Sequence, residues 1–433
     1  MEGQEPVNKL AEVLEVASEA GHILLENGAE ISRVEDVMSR IATTFGVDSG
    51  SFFVISNGIF TTGMLDQVRQ GGGQVQTYAN VEFIPLKGIQ LSKVVAVNRL
   101  SYDIANGLCS LDQARERLKL IRAMAPHPAW LTAVATALGA AGFCAVFGGG
   151  WMDCAASFVV GALLFAYMSF VSGRYLSKIV GGLSNALVVT LLCTIFYRIG
   201  FGDSLSNMII GSIMPLIPGV PFVNGVRDLA NSDYLAGLTR LTDAMLGFVC
   251  IALGVAFGFL LDGWAFGGMI ALHGLSVSPQ TAGLAAQAAA AFTGTLAFAG
   301  LFGVPRTQCP VAGIIGAAGW AMYLVLVRYA GASPMAAIIL SSVVICVLAR
   351  IAAVWQRSPA QVFLLCGIFP LVPGAGLFWF TYYMVSAQFP LSLSSGMDAV
   401  KAAVAIVLGI ILAMELPQRL FSGRRPRTGR PVH

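Results

Sequence analysis

Charge is what this sequence has least of. Only 11% of its 433 residues are Asp, Glu, Lys or Arg, against 56% apolar, and the mean hydropathy is +0.75. A soluble chain of this length needs far more charge to clothe its surface, so the composition excludes that class and implies an integral membrane protein. Nucleotide motifs are missing as well: without a P-loop, transport is expected to be secondary rather than ATP-driven. No Ser/His/Asp or Cys/His set occurs, so neither a catalytic residue nor a cofactor is expected. The eight cysteines form no CxxC pair and no Cys/His cluster, which argues against a disulfide framework or a metal site. All but Cys109 fall in apolar runs, where a thiol acts as a small hydrophobe. The start, "MEGQEPVNKLAE", has no apolar h-region, so no cleaved signal peptide is expected. A net charge of +3, with the basic residues in short loops, gives no reason to expect nucleic acid as a partner.

What charge there is lies unevenly. Residues 1–125 have an ordinary mix, as in "QARERLKLIRAM", whereas 128–417 hold long apolar runs. A spanning helix needs about 20 apolar residues. Ten such runs occur, at about 128–148, 152–171, 179–199, 205–222, 240–262, 282–303, 307–327, 334–354, 360–380 and 397–416. The expected fold is an α-helical polytopic membrane protein with ten transmembrane helices behind a small soluble α+β domain. Its expected parts are that domain at 1–125, a five-helix repeat at 126–262, and a second at 263–433 that ends in a basic tail. Lys and Arg sit before the first span (Arg115, Arg117, Lys119, Arg122) and in every second connection after it. These include Arg174 and Lys178, Arg227 and Arg240, Arg306, and Arg350 with Arg357; the tail adds Arg419, Arg424, Arg425, Arg427 and Arg430. Both termini are therefore expected in the cytoplasm.

A shift of 155 residues brings the membrane half onto itself. Phe143 falls on Phe298, Cys154 on Cys309, Pro215-Leu216 on Pro370-Leu371, Pro218-Gly219 on Pro373-Gly374, and Asp243-Ala244 on Asp398-Ala399. No gap is needed. Five spans per repeat is an odd number, so the second repeat must enter the membrane upside down, the plan of many secondary transporters. "PLIPG" and "PLVPG" break the fourth span of each repeat. Groups freed by a break cannot face lipid and must face protein or a wet cavity. The N-terminus of a half-helix also suits a carboxylate. A proline kink that only shapes packing is the alternative.

Ionisable groups deep in the spans are scarce. Asp153, Asp243 and Asp398 are candidates for ion coupling. "LTDAML" and "GMDAVK" also read as aspartates capping helix N-termini. Asp398 and Lys401, three apart, share a helical face. "NGVRDLANSDYLAGLTR" (224–240) reads as a loop helix after the fourth span: either a solvated ion-paired element, or a gate with Arg227 holding a carboxylate. His273 lies between the repeats as a lone histidine, for which a structural role is the usual one.

In the soluble domain, 26–46 forms an amphipathic helix with Ile31, Val34, Met38, Ile41 and Phe45 as its buried stripe. Asn27 and Glu30 resemble a capping box, and Asp36 with Arg40 an i,i+4 pair. Glu30, Arg33 and Glu35 form a dense polar cluster. Asn57-Gly58 signals a hairpin and 71–74 a glycine turn. "VQTYANVEFIPL" reads as a strand, and helices follow at about 89–106 and 110–124.

"GAEISRVEDVMSRIA", "ISNGIF", "IPGVPFVNGVRDLANSDYLAGLTR" and "PLVPGAGLF" together resemble the threonine/serine exporter family, along essentially the whole chain and in the expected order. The resemblance implies a bacterial inner-membrane exporter, driven by an ion gradient, for small hydroxy amino acids. Related proteins that divide the two halves between two chains are linked to succinate export, so C4-dicarboxylates are the alternative substrates. A membrane enzyme acting through the soluble domain, and a receptor or scaffold, are further alternatives. The substrate-binding candidates are Pro215, Pro218, Gly219, Asn224, Arg227, Asp228, Pro370, Pro373 and Gly374. The family motifs also carry Glu30, Arg33 and Glu35. The expected partners are a small carboxylate-bearing metabolite and membrane lipid, with self-association as a homo-oligomer left open.

Overall fold

The computed structural model describes residues 4–47, 50–66, 75–85, 88–268, 270, 272, 283–417 and 420–421. His273, the glycine turn at 71–74 and the basic tail residues Arg419, Arg424, Arg425, Arg427 and Arg430 lie outside the described residues.

The N-terminal unit holds α1 (Gln4–Glu26), α2 (Ile31–Thr44), β1 (Ser51–Ile55), β2 (Gly58–Asp66), β3 (Val75–Phe83), α3 (Leu91–Ala105) and α4 (Leu111–Arg122). Helix α1 adds to the sequence reading. Its polar start hides a core stripe of Val13, Leu14, Ala17, Ala20 and Leu24, spaced three and four apart and fully buried. The strands form an antiparallel sheet in the order β1-β2-β3. Pairing of Ile55 with Gly58 puts the two-residue turn at Ser56-Asn57, one position before the expected Asn57-Gly58. Gly58 is needed inside β2 instead, where a Cβ would come within 3.0 Å of the Glu82 carbonyl oxygen. Val54 and Ile59 are buried beneath the helices, while Phe53, Phe60 and Val81 form an exposed row on the other face.

Two local expectations for α2 fail. Glu30 is the N-cap and makes no side-chain cap, and Asn27 donates to the Ile23 carbonyl at 2.7 Å, so no capping box closes. Arg40 does not pair with Asp36. It donates to Ser101 Oγ at 2.9 Å and stacks over Tyr102, partners from α3 that no local spacing reveals. Of the expected stripe, Ile31, Val34, Met38 and Ile41 are fully buried, whereas Phe45 caps the end of α2, which spans only Ile31–Thr44, and is half-buried.

The remaining helices are α5 (Ala129–Val146), α6 (Trp151–Tyr167), α7 (Gly173–Tyr175), α8 (Lys178–Arg198), α9 (Leu205–Ile213), α10 (Gly219–Ala230) and α11 (Tyr234–Phe266). They are followed by α12 (Leu284–Leu301), α13 (Cys309–Arg328), α14 (Pro334–Gln356), α15 (Ala360–Gly367), α16 (Gly374–Val385) and α17 (Phe389–Met414). A π-turn at Met168–Ser172 joins α6 to α7. Among the described residues, eight helices are long and apolar enough to cross a membrane, and ten if each of two bent pairs is one span. The pairs are Leu205–Leu216 with Gly219–Ala230, bent by 58°, and Ala360–Leu371 with Gly374–Val385, bent by 41°. This is a polytopic membrane protein.

The 155-residue register extends to the backbone. Helices α5, α9, α10 and α11 begin 155 residues before α12, α15, α16 and α17. Pro218 (φ −77°, ψ 54°) and Pro373 (φ −76°, ψ 50°) share one conformation at the breaks. Ser232 and Ala387, also 155 apart, both take a positive φ (69° and 58°) at the turn that follows. The stretch 224–240 is not a separate loop helix. Pro218 starts a fresh helix that runs to Ala230, and α11 begins at Tyr234 after a short turn. One buried apolar core runs without interruption from the N-terminal unit into the membrane helices.

Candidate functional site: paired helix breaks and the junction beside them

At the first break a 3-10 turn, Met214–Leu216, ends the entering half-helix; Ile217 is extended and Pro218 caps α10. Phe369–Leu371, Val372 and Pro373 repeat this before α16. Proline is tolerated there because a helix start leaves its first N–H groups without intrahelical partners. The two breaks touch. A Cβ on Gly219 would stand 2.6 Å from the Phe369 ring, and one on Gly374 would stand 2.9 Å from Met214 Sδ. Residues 214 and 369 are equivalents in the 155 register, so the contacts are reciprocal, as across a two-fold axis. Phe143 and Phe298, themselves equivalents, meet edge to face with ring centroids 5.0 Å apart. Around them α5 and α12 run antiparallel: Gly300 faces Ala135, and a Cβ on Gly142 would lie 2.7 Å from the Gly294 nitrogen. Small residues let these backbones approach closely.

A cavity of about 240 Å³ lies beside the second break, lined by Pro370, Val372, Pro373, Gly376, Trp320, Tyr323 and Asp398 among others. Trp320 donates to Gln287 Oε1 at 2.9 Å, and Gln287 donates to the Ala145 carbonyl at 3.1 Å, which ties the cavity wall to the first half. The first turn of α16 has Gly376 where α10 has Pro221, so α16 keeps a backbone donor that α10 lacks. Pro215 and Pro370 sit in the 3-10 turns that lead into the breaks.

Asn224, Arg227 and Asp228 are not at the break. They lie roughly 8–14 Å farther along α10, at the helical rise of about 1.5 Å per residue. There they meet the connector between α1 and α2. Gly28, at φ +84°, turns its carbonyl into the bundle, where it accepts from Asn224 Nδ2 at 2.9 Å and from Gln361 Nε2 at 2.8 Å. Gln361 belongs to α15, so one oxygen bonds helices from both halves of the bundle. Ile31 N–H donates to Asp228 Oδ1 at 3.2 Å. Arg240 of α11 donates to Asp228 Oδ2 at 2.7 Å and to the Ala29 carbonyl at 2.9 Å. Asp228 is fully buried and Arg240 nearly so. Desolvated charges are tolerable only when paired and hydrogen-bonded, and this pair is both.

Glu30 completes the junction. Its side chain is 3% exposed, and Oε2 lies 2.5 Å from Arg227 Nη2, with Arg33 Nε 3.7 Å from Oε1. The approach lacks hydrogen-bond alignment: Glu30 Oε2, Arg33 Nε, and Arg227 Nε and Nη1 are buried without a hydrogen-bond partner. The structure thus joins Glu30 and Arg33 to Asn224, Arg227 and Asp228 in one site. Glu35 stands apart and accepts from Val54 N–H at 3.1 Å. Burial pushes its carboxyl above the ordinary range, the Val54 bond opposes this, and the charges of Asp233 and Asp36 add to it.

Asp153 is buried as an acceptor for the N–H groups of Gly150, Asp203 and Ser204, the helix-start role read for aspartates of this chain. Asp243 and Asp398 lie well inside α11 and α17 rather than at their starts, because those helices begin at Tyr234 and Phe389. Asp243 pairs with Lys178 at 2.5 Å, and Asp398 with Lys401 at 3.1 Å, and both pairs are exposed. Two residues escaped the sequence reading. Gln361 is a lone amide at the head of an apolar run, a weak signal. Asp262, which takes a two-pronged bond from Arg198 at 2.8 and 2.7 Å, is hidden near the end of a long apolar helix.

Sequence models of the threonine/serine exporter family, ThrE, match residues 15–261 and 287–415. The chain is 22% identical over 425 residues to the "Threonine/serine exporter" of Corynebacterium glutamicum, covering 97% of this chain and 84% of that one. It is 26% identical over 350 residues to the "Probable threonine/serine exporter" of Mycobacterium tuberculosis, covering 77% and 64%. A shorter relative, the "Probable succinate transporter subunit YjjP" of Klebsiella aerogenes, is 25% identical over 246 residues, 56% of this chain and 92% of that one. No solved structure matches. With family models covering both the N-terminal unit and the two break-bearing halves, this chain belongs to the threonine/serine exporter family.

Proposed function

We propose that the protein exports small hydroxy amino acids, threonine and serine first, across the bacterial inner membrane as a secondary transporter driven by an ion gradient. The family match along the chain carries this reading. The name of the YjjP relatives supports C4-dicarboxylates such as succinate as the second substrate class. The membrane part, 126–262 and 263–433, acts as two inverted five-helix repeats. The antiparallel α5 and α12 and the reciprocal contacts at the breaks support that arrangement. Residues 1–125 form a cytoplasmic domain, and both termini lie in the cytoplasm. The substrate passes between the breaks, where the cavity beside Pro373 has room for a small amino acid and α16 turns unpaired N–H groups toward a carboxylate. Asp243 and Asp398, equivalent and in exposed ion pairs, carry ion coupling; Asp153, with its three backbone donors, serves to hold α6 in place. The test is counterflow in proteoliposomes with threonine, serine and succinate, with and without a proton gradient. Threonine and serine flux that rises with the gradient is expected; flux of succinate alone would overturn the substrate assignment.

A further inference from the structure

The N-terminal unit grips the membrane helices at two places. The connector Gly28–Ile31 bonds α10, α11 and α15, and the start of α3 bonds the end of α12, where Leu91 and Ser92 N–H donate to the Phe302 and Gly303 carbonyls at 3.0 and 2.8 Å. The second grip is complete: orphan donors of one helix start satisfy orphan acceptors of one helix end. The first leaves Arg33 Nε and Gln361 Oε1 without a hydrogen-bond partner, and its largest gap is at Glu30 and Arg227. There Glu30 Oε2 lies 2.5 Å from Arg227 Nη2 without hydrogen-bond alignment, and the guanidinium lacks acceptors for Nε and Nη1. Leaving such groups unsatisfied is costly, and native proteins rarely do so without a reason.

A ligand that carries one ammonium and one carboxylate supplies both missing partners. The α-ammonium donates to Glu30, and the α-carboxylate takes the place of the Glu30 oxygen at Arg227 Nη2 while also accepting from the free Nε–H, the side-on edge of the guanidinium that suits a carboxylate. We propose that Glu30 and Arg227 form a recognition site for the zwitterionic head of an amino acid. By entering between them, the ligand replaces their mutual contact and loosens the connector on α10, where the Asn224–Gly28 and Ile31–Asp228 bonds are then its remaining hold. The site lies on the same helix as the first break, about 12 Å along it, so loosening the connector frees the helix that carries the break. This inference rests on the export reading above and names the chemistry that frees that helix. A dicarboxylate has no ammonium for Glu30 and adds a second negative charge beside it, so the site selects against succinate.

The rim of the connector provides a reporter. Ser32 Oγ accepts from Asn231 Nδ2 at 3.1 Å, a contact that closes only while the connector is docked. The experiment measures thiol labelling of the full-length Ser32→Cys variant in proteoliposomes, with the unaltered chain as the control for native cysteines. Threonine or serine is expected to speed labelling several-fold, and succinate is not. In Ser32→Cys/Glu30→Gln, labelling should be fast without ligand and insensitive to threonine. In Ser32→Cys/Arg227→Lys, which keeps the charge but loses the fork, the response should need more threonine. Labelling that no ligand changes, or that succinate speeds equally, overturns the site. Threonine flux is measured on the same preparations. Flux with ligand-insensitive labelling defeats this site alone, whereas absence of threonine flux defeats the export reading itself.

Discussion

The two breaks have the same backbone and different company. Pro218 and Pro373 share their dihedral angles within a few degrees, and the helices that follow have the same length. Yet α10 carries Asn224, Arg227 and Asp228 to the N-terminal unit, while the equivalent stretch of α16 carries Trp379, Tyr382 and Tyr383 into an aromatic cluster. Tyr382 also binds the far end of the bundle, where its hydroxyl accepts from Leu272 N–H at 2.7 Å. Duplication kept the geometry that a break demands, and divergence assigned each copy its own neighbours. In the inverted arrangement proposed above, the charged copy faces the cytoplasm and the aromatic copy the exterior.

The largest expected effect lies in the charged copy. Arg240→Ala strands the fully buried Asp228 carboxylate, at a cost of about 3–5 kcal/mol. The outcome is a marked loss of folded protein or a lowered thermal midpoint in detergent. In the other copy, Tyr382→Phe loses the hydroxyl's two hydrogen bonds, with Leu272 N–H and the Ile270 carbonyl, but strands no charge, so it should lower the midpoint far less. If Arg240→Ala is no worse than Tyr382→Phe, the contrast between the copies fails.

A second test separates the breaks themselves. The Cβ of Gly219→Ala would meet the Phe369 ring on all its near atoms, whereas that of Gly374→Ala would meet the flexible tips of Ile217 and Met214. Overpacking against a wedged ring costs about 1–3 kcal/mol, and a methionine tip yields more readily. Gly219→Ala should therefore lower the thermal midpoint more than Gly374→Ala, and Phe369→Leu should relieve part of it. Equal losses, or no relief, would show that the reciprocal contact does not hold the breaks.

Smaller effects belong to the equivalent aspartates. Lys178–Asp243 and Lys401–Asp398 are exposed pairs, worth roughly 0–1 kcal/mol each. Asp243→Asn and Asp398→Asn should leave the thermal midpoint nearly unchanged. If they carry ion coupling, threonine flux loses its dependence on the proton gradient in both variants. Unchanged gradient dependence would remove them from the coupling path.

The smallest effect is a pH dependence. The carboxyl of Glu35 is raised in the folded state, so the folded chain holds its proton over a window just above the ordinary carboxylate value of 4.5. Stability falls as pH rises through that window, because the unfolded chain has already released the proton. Glu35→Gln should flatten this slope in midpoints measured across pH 4–7, leaving the other ionisable groups to set what remains. A slope unchanged by the substitution would show that Glu35 does not contribute to it.

Much of this fold was legible in the sequence, and the reason is the membrane. Apolar runs of span length admit few structures, and the doubled Pro-x-x-Pro-Gly in one register required two equivalent breaks. The stripe of α2 was legible too, since helical periodicity needs only local spacing. Less could be read where partners lie far apart in the chain. Arg40 bonds Ser101 rather than Asp36, and the hairpin turn sits one residue from its sequence signal.

The candidate site divides along the same line. By itself the sequence determined that two helices are broken and where they are broken, because these follow from backbone chemistry and composition. Only the tertiary structure decided that Glu30 and Arg227, far apart in sequence, form one buried pair, and that Gly28 bonds both halves of the bundle. Burial and hydrogen-bond alignment depend on which surfaces meet, and no local pattern in either segment specifies that meeting.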